Sequence, residues 1–517
     1  MYGYVKVGSA VPKLRVADCV YNKEEILKLV EAAAAKQVRV LSFPELSVTG
    51  YTCADLFFQT PLLHAAEQAI QEIAEATEAL NIFLLIGAPI AVDNQMFNCA
   101  VALYKGKLLG IVPKTHIPNY SEFYEERWFA SADDLLTEEI TYAGQNVPIG
   151  ADLIFAAADF PALKIGVEIC EDLWVPIPPS SYLSLYGATL LLNLSASNEL
   201  ASKPGYRRQL VSQQSARCLS AYVYTSAGTG ESTQDAVFSG HSMIYENGTL
   251  FAETESFSRE SQFVYADIDV EMLMSERRKH TTFMTHLQKA EAQKFYRQIF
   301  FDMAEDTTLD NWSRPLSNVP FTPTTKLDAR CKNIFAIQTT GLARRMEHTH
   351  ADSLVIGISG GLDSTLALLV CAKACDYLGI DRTHNIPMFF KFIPRASLVL
   401  KKITKGLLFL RCALAAIKTG VSLIPFASFD SVLPVQGAIT SISSIDFGPI
   451  GSAAGMVVIG SLLLISFASL RKSFDFPKRV SVVEALSEKI VKILALVSAS
   501  LLSSRFFLLP PLISVCR

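Results

Sequence analysis

Residues 354–367 read LVIGISGGLDSTLA, and this stretch predicts a strand, a glycine-rich turn and the start of a helix. Leu354–Gly357 suits a short buried strand, and Asp363 lies in the first turn of an apolar helix that runs to about Tyr377. Glycines let a backbone approach an anion, and the first N–H groups of a helix have no partner within it. The stretch therefore predicts a phosphate cradle. No Lys follows the glycines, so it is not a GxxxxGK[ST] loop.

Upstream of this loop, short apolar runs alternate with amphipathic segments and long loops, which predicts a layered α/β domain. Predicted helices begin at Asn22 and span Pro61–Leu80, Lys289–Asp302 and Leu327–Glu347. The predicted strands are Tyr4–Ser9, Val38–Phe43, Ile82–Ile90, Phe97–Tyr104, Leu108–Val112, Leu163–Ile169, Thr189–Asn193, Tyr222–Ser226 and Val237–Tyr245.

Three chemically capable residues stand at the ends of predicted strands, namely Glu45, Lys114 and Cys170. A thiol with a base and a cation nearby has the parts of an amidase, because a thiolate attacks an amide carbon and the resulting oxyanion needs a positive neighbour. Taken alone, a cysteine after a strand is usually a small buried side chain, and a lysine is usually a solvated charge. If Glu45 and Lys114 activate the thiol, the pKa of Cys170 should differ from the ordinary thiol value near ~8.5.

The strings around these residues are FPELSVTGY, PKTHIPNYSEFYE and GVEICEDLW, and they resemble the nitrilase superfamily. The SGGLDST loop resembles the SGGxDS loop of the ATP-pyrophosphatase family. Together with NLSASNELASKPGYRR (Asn193–Arg208) and ESTQDAVFSGHSMIYENG (Glu231–Gly248), residues 1–388 resemble the glutamine-dependent NAD synthetase family.

The resemblance implies an α/β chain with a four-layer αββα nitrilase-like domain, followed by an incomplete doubly wound α/β domain of the ATP-pyrophosphatase, or adenine nucleotide α-hydrolase-like, type. The expected segments are the amidase domain at 1–271, a linker at 272–325, the start of the synthetase domain at 326–388 and an unrecognised tail at 389–517. A single strand and helix cannot complete a parallel sheet, since parallel strands need neighbours on both sides.

The resemblance also implies site residues. Cys170 would be the nucleophile, Glu45 the general base and Lys114 the electrostatic partner. Free glutamine carries an ammonium and a carboxylate, so its pocket needs complementary groups. The implied glutamine-binding residues are Tyr120, Glu171, Ser197 and Lys203, although Glu171 and Lys203 could instead be surface charges. The implied ATP-binding residues are Gly357, Ile358, Ser359, Gly360, Gly361, Leu362, Asp363 and Ser364, and Asp363 is the candidate ligand of Mg²⁺.

The implied reaction converts deamido-NAD, ATP and glutamine into NAD, AMP, pyrophosphate and glutamate, with Mg²⁺ accompanying ATP. Family members form homo-oligomers, and the same is expected here. A net charge of -4 predicts no nucleic-acid partner. Ten cysteines without a CxxC pair predict reduced thiols in the cytoplasm. The first residues have no apolar signal core.

Composition changes abruptly near Met388. Residues 389–517 carry 15 Lys+Arg and 5 Asp+Glu, and they contain no Tyr, Trp, Asn or His. The family would continue with further strand–helix units and a Gly-Asn segment, which a stretch without Asn cannot supply. We interpret the change as a shift of reading frame near codon 388. The alternative is a genuine membrane-proximal tail, because Phe447–Leu470 is uncharged and long enough to cross a bilayer.

Two other functions compete with NAD synthesis. One is a stand-alone nitrilase-type amidase that hydrolyses glutamine or a small amide and keeps a vestigial nucleotide loop. The other is a non-enzymatic binding module of the same fold, which the presence of Glu45, Lys114 and Cys170 disfavours. Comparing ammonia release from glutamine with release from simple amides distinguishes NAD synthesis from the stand-alone amidase. Protection of the chain by ATP against proteolysis near Gly360 tests nucleotide binding.

Overall fold

The computed structural model describes residues 3–283, 285, 295–303, 312–316, 326–351, 353–358, 361–382 and 388–389. The chain forms two compact units, Met1–Ser317 and Asn318–Arg517. The predicted loop residues Ser359 and Gly360 and the predicted tail from residue 390 onward lie outside the described residues.

The first unit is built from two sheets and the helices beside them. Its described strands are Tyr4–Val11 (β1), Val40–Ser42 (β2), Phe83–Val92 (β3), Gln95–Tyr104 (β4), Lys107–Pro113 (β5), Glu139–Tyr142 (β6), Gln145–Pro148 (β7), Leu153–Ala157 (β8), Lys164–Ile169 (β9), Leu190–Ser195 (β10), Ala221–Ser226 (β11), Met243–Glu246 (β12), Thr249–Glu253 (β13), Gln262–Asp269 (β14) and Arg297–Phe301 (β15). Its helices include Cys19–Ala35 (α1), Thr60–Ala76 (α2), Pro179–Leu185 (α3), Lys203–Arg217 (α4) and Val270–Lys279 (α5).

One sheet has the strand order β14-β1-β2-β3-β4-β5, and the other has the order β13-β12-β11-β10-β9-β8-β15. In the second sheet β9, β10 and β11 run parallel to one another. Strand β10 reads LLLNLS and is buried along its whole length. Such continuous apolar strands are typical of a sheet that is covered on both faces.

The two sheets pack face to face, with helices on the outer faces. Phe83 and Leu85 of β3 lie in the core between the sheets, where Phe83 meets Phe155 of β8 edge-on at 5.5 Å between ring centroids. Leu84 and Ile86 point the other way, into a core shared with α1 and α2. This alternation follows from the two-residue period of a strand. Helices α3 and α4 cover the second sheet, so the predicted αββα arrangement is confirmed.

Three buried hydroxyl groups join the two sheets within this core. Thr225 Oγ1 of β11 hydrogen bonds to Ser9 Oγ and to Ser42 Oγ, at 2.7 Å in both cases. Buried hydroxyls are costly unless they are paired, so these bonds favour one alignment of the sheets over others.

Two predicted element boundaries were wrong. Helix α1 begins at Cys19, since Asp18 caps it by accepting a hydrogen bond from Tyr21 N at 3.1 Å. Asn22 is a buried helical residue that donates to the carbonyl of Val48 at 2.9 Å. The predicted strand Val237–Tyr245 begins only at Met243, because residues 237–242 pack irregularly against the turn after β10.

The helix predicted over Lys289–Asp302 was wrong for residues 297–301, which form strand β15. It pairs in parallel with β8 along its whole length. Arg297 donates to the Asp152 carboxylate at 2.7 and 2.6 Å, and Phe301 is buried against Phe83. Helix propensity is a weak local preference, and a vacant sheet edge overrides it.

The described parts of the predicted linker 272–325 include further contacts with the first unit. Arg314 donates to both oxygens of Glu246, at 2.7 and 2.8 Å, and Ser313 Oγ donates to Asp267 at 2.6 Å. The first compact unit accordingly extends to Ser317. The domain boundaries given by the sequence stay a prediction.

The second unit contains the predicted strand–turn–helix order. Its described elements are Leu327–Thr349 (α6), Ile356–Gly357 (β16), Leu362–Leu378 (α7) and Met388–Phe389 (β17). Strand β16 pairs in parallel with β17, and α6 packs on α7 through Ala343, Met346, Leu368 and Ala372. Within the described ranges, no helix is both long and apolar enough to cross a membrane, and Phe447–Leu470 lies outside those ranges.

Candidate active site

The structure brings Glu45, Lys114 and Cys170 together at the carboxyl ends of β2, β5 and β9. Lys114 and Cys170 each follow their strand directly, and Glu45 follows β2 after two residues. The Lys114 ammonium lies 2.7 Å from Glu45 Oε1. The exposed fraction of Glu45 is 1%, of Lys114 0% and of Cys170 6%. Three buried polar groups at one end of a sandwich form a candidate catalytic centre.

The approach of the Glu45 segment to β3 requires a glycine. A Cβ atom on Gly87 would lie 2.2 Å from Leu46 N and 2.6 Å from Pro44 O. Leu46 itself has a positive φ of 51°. Because β3 carries no side chain at this point, the backbone around Glu45 can turn inward over the strand.

Lys114 is held between two carboxylates, and the sequence predicted only one of them. Its Nζ donates to Glu125 Oε1 and Oε2 at 2.9 and 2.8 Å as well as to Glu45. Tyr51 donates its hydroxyl to Glu125 at 2.7 Å. Burial by itself lowers the pKa of Lys114, but Glu125 and Glu45 outweigh it, and the resulting pKa is well above the usual range. Burial raises the pKa of Glu125, and Lys114 opposes that rise.

Glu45 is oriented by donors from both sheets. Asn98 Nδ2 of β4 donates to Oε1 at 2.7 Å, and the backbone N–H of Ala196, just after β10, donates to Oε2 at 2.7 Å. A carboxylate with both oxygens bonded has one fixed orientation. Glu125 and Asn98 were not predicted from the sequence, because several Glu residues follow Lys114 and only the fold shows which one points inward.

Cys170 occupies a strained turn between β9 and a short 3-10 helix. Its φ is +44°, a left-handed conformation that non-glycine residues rarely adopt. Asp172 supports the turn by accepting hydrogen bonds from Ile169 N at 2.9 Å and from His116 N at 2.8 Å. His116 follows Lys114 by two residues. The Asp172 carboxylate therefore links the turn at Cys170 to the segment after Lys114.

The thiol of Cys170 is not in an ordinary environment. Burial raises its pKa well above the usual range, Glu45 raises it further, and Lys114 lowers it. The resting side chain is therefore the neutral thiol, and a nucleophilic thiolate forms only when a base removes the proton.

Of the four predicted glutamine-binding residues, two contact each other, and the other two contact further side chains. Tyr120 donates its hydroxyl to Glu171 Oε1 at 2.8 Å. Half-buried Lys203 bonds to Asn198 and lies 5.1 Å from the Trp174 ring centroid. Ser197 is buried, and its hydroxyl accepts a hydrogen bond from the Arg207 guanidinium. Neither Glu171 nor Lys203 is a freely solvated charge.

A surface groove lies beside two of these residues, Tyr120 and Glu171. Its volume is about 1030 Å³, and its lining includes Tyr120, Glu171, His116 and Trp128. Tyr120 is 55% exposed, whereas Cys170 is buried. A ligand in the groove would therefore contact Tyr120 and Glu171.

In the second unit, the predicted nucleotide loop leads into α7. Gly357 is the last residue of β16, Ile358 is buried, and Gly361 caps α7. Ser364 Oγ donates to Gly361 O at 3.1 Å. Leu362 and Asp363 are exposed at the first turn. The helix N-terminus is thus placed as an anion site requires, while Ser359 and Gly360 lie outside the described residues.

Buried thiol, lysine and glutamate at the ends of sandwiched α/β sheets define a class of carbon–nitrogen bond hydrolases. Residues 7–278 match the family model described as carbon-nitrogen hydrolase, and the chain belongs to this family. Residues 334–396 match a second family model, NAD synthase, which ends close to Met388.

Two curated relatives of the chain are called glutamine-dependent NAD(+) synthetase. The chain is 39% identical to the glutamine-dependent NAD(+) synthetase of Mycobacterium leprae over 74% of this chain and 56% of that protein. It is 28% identical to the enzyme of the same name from Thermotoga maritima over 71% of this chain and 57% of that protein. A solved glutamine-dependent NAD(+) synthetase from Cytophaga hutchinsonii is 20% identical, with a TM-score of 0.46 over 86% of this chain and 68% of its own. The chain spans little more than half the length of the curated relatives it matches.

Proposed function

We propose that the chain belongs to glutamine-dependent NAD synthesis, in which ammonia released from glutamine amidates deamido-NAD at the expense of ATP. This chain would perform the first half-reaction, the release of ammonia from glutamine. The observation that supports the amidase half best is the position of Lys114. It lies between Glu45 and Glu125 beside a buried cysteine. Such an arrangement holds a base and a positive charge next to a thiol in a site shielded from water.

The proposed reaction uses each of these groups in turn. Cys170 Sγ attacks the amide carbon of glutamine as its proton passes to Glu45, and Lys114 stabilises the oxyanion. Glu45 then gives the proton to the amide nitrogen, the C–N bond breaks, and ammonia leaves a thioester behind. Water attacks the thioester with Glu45 as base, and the C–S bond breaks to give glutamate and the free thiol.

The proposed recognition of glutamine uses opposite charges on two sides of the pocket. Glu171, held by Tyr120, suits the α-ammonium, and Lys203 suits the α-carboxylate. Ser197 is the proposed hydroxyl contact. Burial lowers the pKa of Lys203, which the charge of a bound carboxylate would reverse.

The amidase proposal is tested by ammonia release from the full chain. We expect release from glutamine to exceed release from acetamide or propionamide at equal concentration by about a hundredfold or more, because simple amides lack the charged end. Comparable rates with glutamine and simple amides would instead support the stand-alone amidase with a small-amide substrate. If no amide releases ammonia, the remaining interpretation is the non-enzymatic binding module.

The synthetase half is proposed from residues 326–388. The NAD synthase match and the glycine cap of α7 support binding of ATP phosphates along Gly357–Ser364. Mg²⁺ would accompany ATP as part of the substrate, with Asp363 as its proposed ligand. Among the described residues, no group of three His, Cys, Asp or Glu side chains could hold a metal by itself. The ion would therefore depend on the phosphates for most of its ligands.

We predict that the 517-residue chain forms no NAD when supplied with ATP, Mg²⁺, deamido-NAD and ammonia. The reason is the composition of residues 389–517, which cannot supply the family's Gly-Asn segment. Mass spectrometry of the product measures the outcome, and the same assay on the chain translated in the alternative frame after codon 388 is the control. Detectable ATP-dependent NAD from the present chain would overturn the prediction and the frame interpretation together.

The remaining partners belong to the same proposal. The described cysteines are all unpaired, which supports reduced thiols and a cytoplasmic site of action. A homo-oligomer without nucleic-acid or membrane partners is proposed from the resemblance and from the net charge of -4.

A further inference from the structure

Arg207 is a buried cation that the amidase reaction does not itself use. It lies on α4, its exposed fraction is 0%, and it is among the largest fully buried side chains. Arg207 and Lys203 lie four residues apart on this helix, so they share one face. Burial of a guanidinium is costly unless its donors are satisfied, so its partners indicate what it is for.

One side of the guanidinium holds the turn that follows β10. Arg207 NH2 donates to Ser197 Oγ and to the carbonyl of Asn198, at 3.2 Å in both cases. Asn198 in turn bonds to Lys203 Nζ through its side chain. Ala196, the residue before Ser197, orients the Glu45 carboxylate through its backbone N–H. The same short turn therefore contacts the catalytic base and two proposed glutamine-binding residues.

The other side of the guanidinium is fixed from a different loop. Arg207 NH1 donates to Glu199 Oε2 at 3.2 Å and to His241 Nδ1 at 2.8 Å. A guanidinium can only donate, so Nδ1 of His241 accepts from Arg207, and Nε2 carries the proton that it donates to Glu253. Only a planar group with donors on two edges can satisfy both sides at once, and a lysine ammonium cannot.

We propose that Arg207 is a positioning residue for substrate specificity, which holds the Ser197–Asn198 turn in the shape that recognises the charged end of glutamine. This inference rests on the proposed glutamine amidase function. Arg207 touches none of the reacting groups Glu45, Lys114 and Cys170, and it acts through the turn. Its loss should weaken recognition of the amino-acid end more than it slows chemistry at the amide.

Arg207→Lys in the full chain is the test, and Arg277→Lys is the matched control. Arg277 is also a buried arginine of the first unit, but it donates to the carbonyls of Ser184, Ala188 and Cys218, away from the glutamine pocket. We expect Arg207→Lys to raise the KM for glutamine by about tenfold or more and to change kcat less than about threefold. Arg277→Lys should lower the thermal midpoint and leave the KM unchanged.

Alkylation of Cys170 separates recognition from folding without relying on turnover. In Arg207→Lys, the rate with iodoacetamide should match the parent chain, and the rate with a glutamine-shaped diazoketone should fall by about tenfold. Arg207→Gln serves as the second variant if the lysine variant does not fold. Equal losses with both reagents, or a KM change no larger than that of Arg277→Lys, would show that Arg207 is only structural. A parent chain that never hydrolyses glutamine would refute the proposed function instead.

Discussion

Replacing Cys170 with Ala is expected to reduce ammonia release from glutamine by a factor of at least about 10⁴, because the change removes the thiol that forms the thioester. Alanine occupies the left-handed turn at 170 about as unfavourably as cysteine, so the turn keeps its strain. Folding should therefore change little. Ammonia release under saturating glutamine and thermal unfolding of the same preparation measure the two expectations.

Cys218→Ala is the control for this substitution. Cys218 is a buried free cysteine of the same unit, and it lies at the end of α4 near the carbonyl of Ser180 rather than beside Glu45 and Lys114. Its replacement should leave the rate of ammonia release nearly unchanged. Unchanged release in Cys170→Ala, or an equal loss in both variants, would show that Cys170 is not the nucleophile.

Lys114→Met is expected to have the largest effect on stability together with a loss of activity of about 10³-fold or more. The change leaves Glu45 and Glu125 facing each other in a buried site without a cation. Removing one partner of a buried ion pair costs about 3–5 kcal/mol in the free energy of unfolding. Urea unfolding at pH 7 and glutamine hydrolysis by the same variant measure both effects.

The stability of Lys114→Met should depend on pH in a definite direction. Burial already holds the pKa of Glu125 in the folded chain above its unfolded value, and removal of Lys114 raises it further. A folded state with a raised carboxyl pKa binds more protons than the unfolded state, so the free energy of unfolding rises as pH falls from 7 towards 5. The variant should therefore recover part of its lost stability at pH 5.

Lys279→Met is the comparison for this pH experiment. Lys279 pairs with Glu276 at 2.6 Å on α5, and the two side chains are 65% and 30% exposed. Its loss should alter stability little at either pH, because exposed ion pairs are screened by water. A loss of stability in Lys114→Met that is equally large at pH 5 and pH 7 would contradict the assignment of the buried carboxylates as its cause.

Local pattern predicted most of the central strands and the three groups that meet at their ends. Strand β9 starts and ends within one residue of its predicted bounds, because a short apolar run is typical of a buried strand. Glu45, Lys114 and Cys170 follow strands that are not neighbours, since β3 and β4 separate β2 from β5 and β9 belongs to the other sheet, so the fold brings the three groups together. The helix predicted over residues 297–301 was wrong, since the free edge of β8 decided that conformation.

By itself, the sequence determined the layered α/β character of the first domain, the strand-end positions of Glu45, Lys114 and Cys170, and the helix that follows the glycine loop. These features depend on periodicity and on neighbours in the chain, which residue types encode directly. Only the tertiary structure selected Glu125 as the second carboxylate on Lys114 and placed Arg207 behind the Ser197–Asn198 turn. Both depend on which buried charges find partners across distant segments, and that is settled when the sheets pack and exclude water.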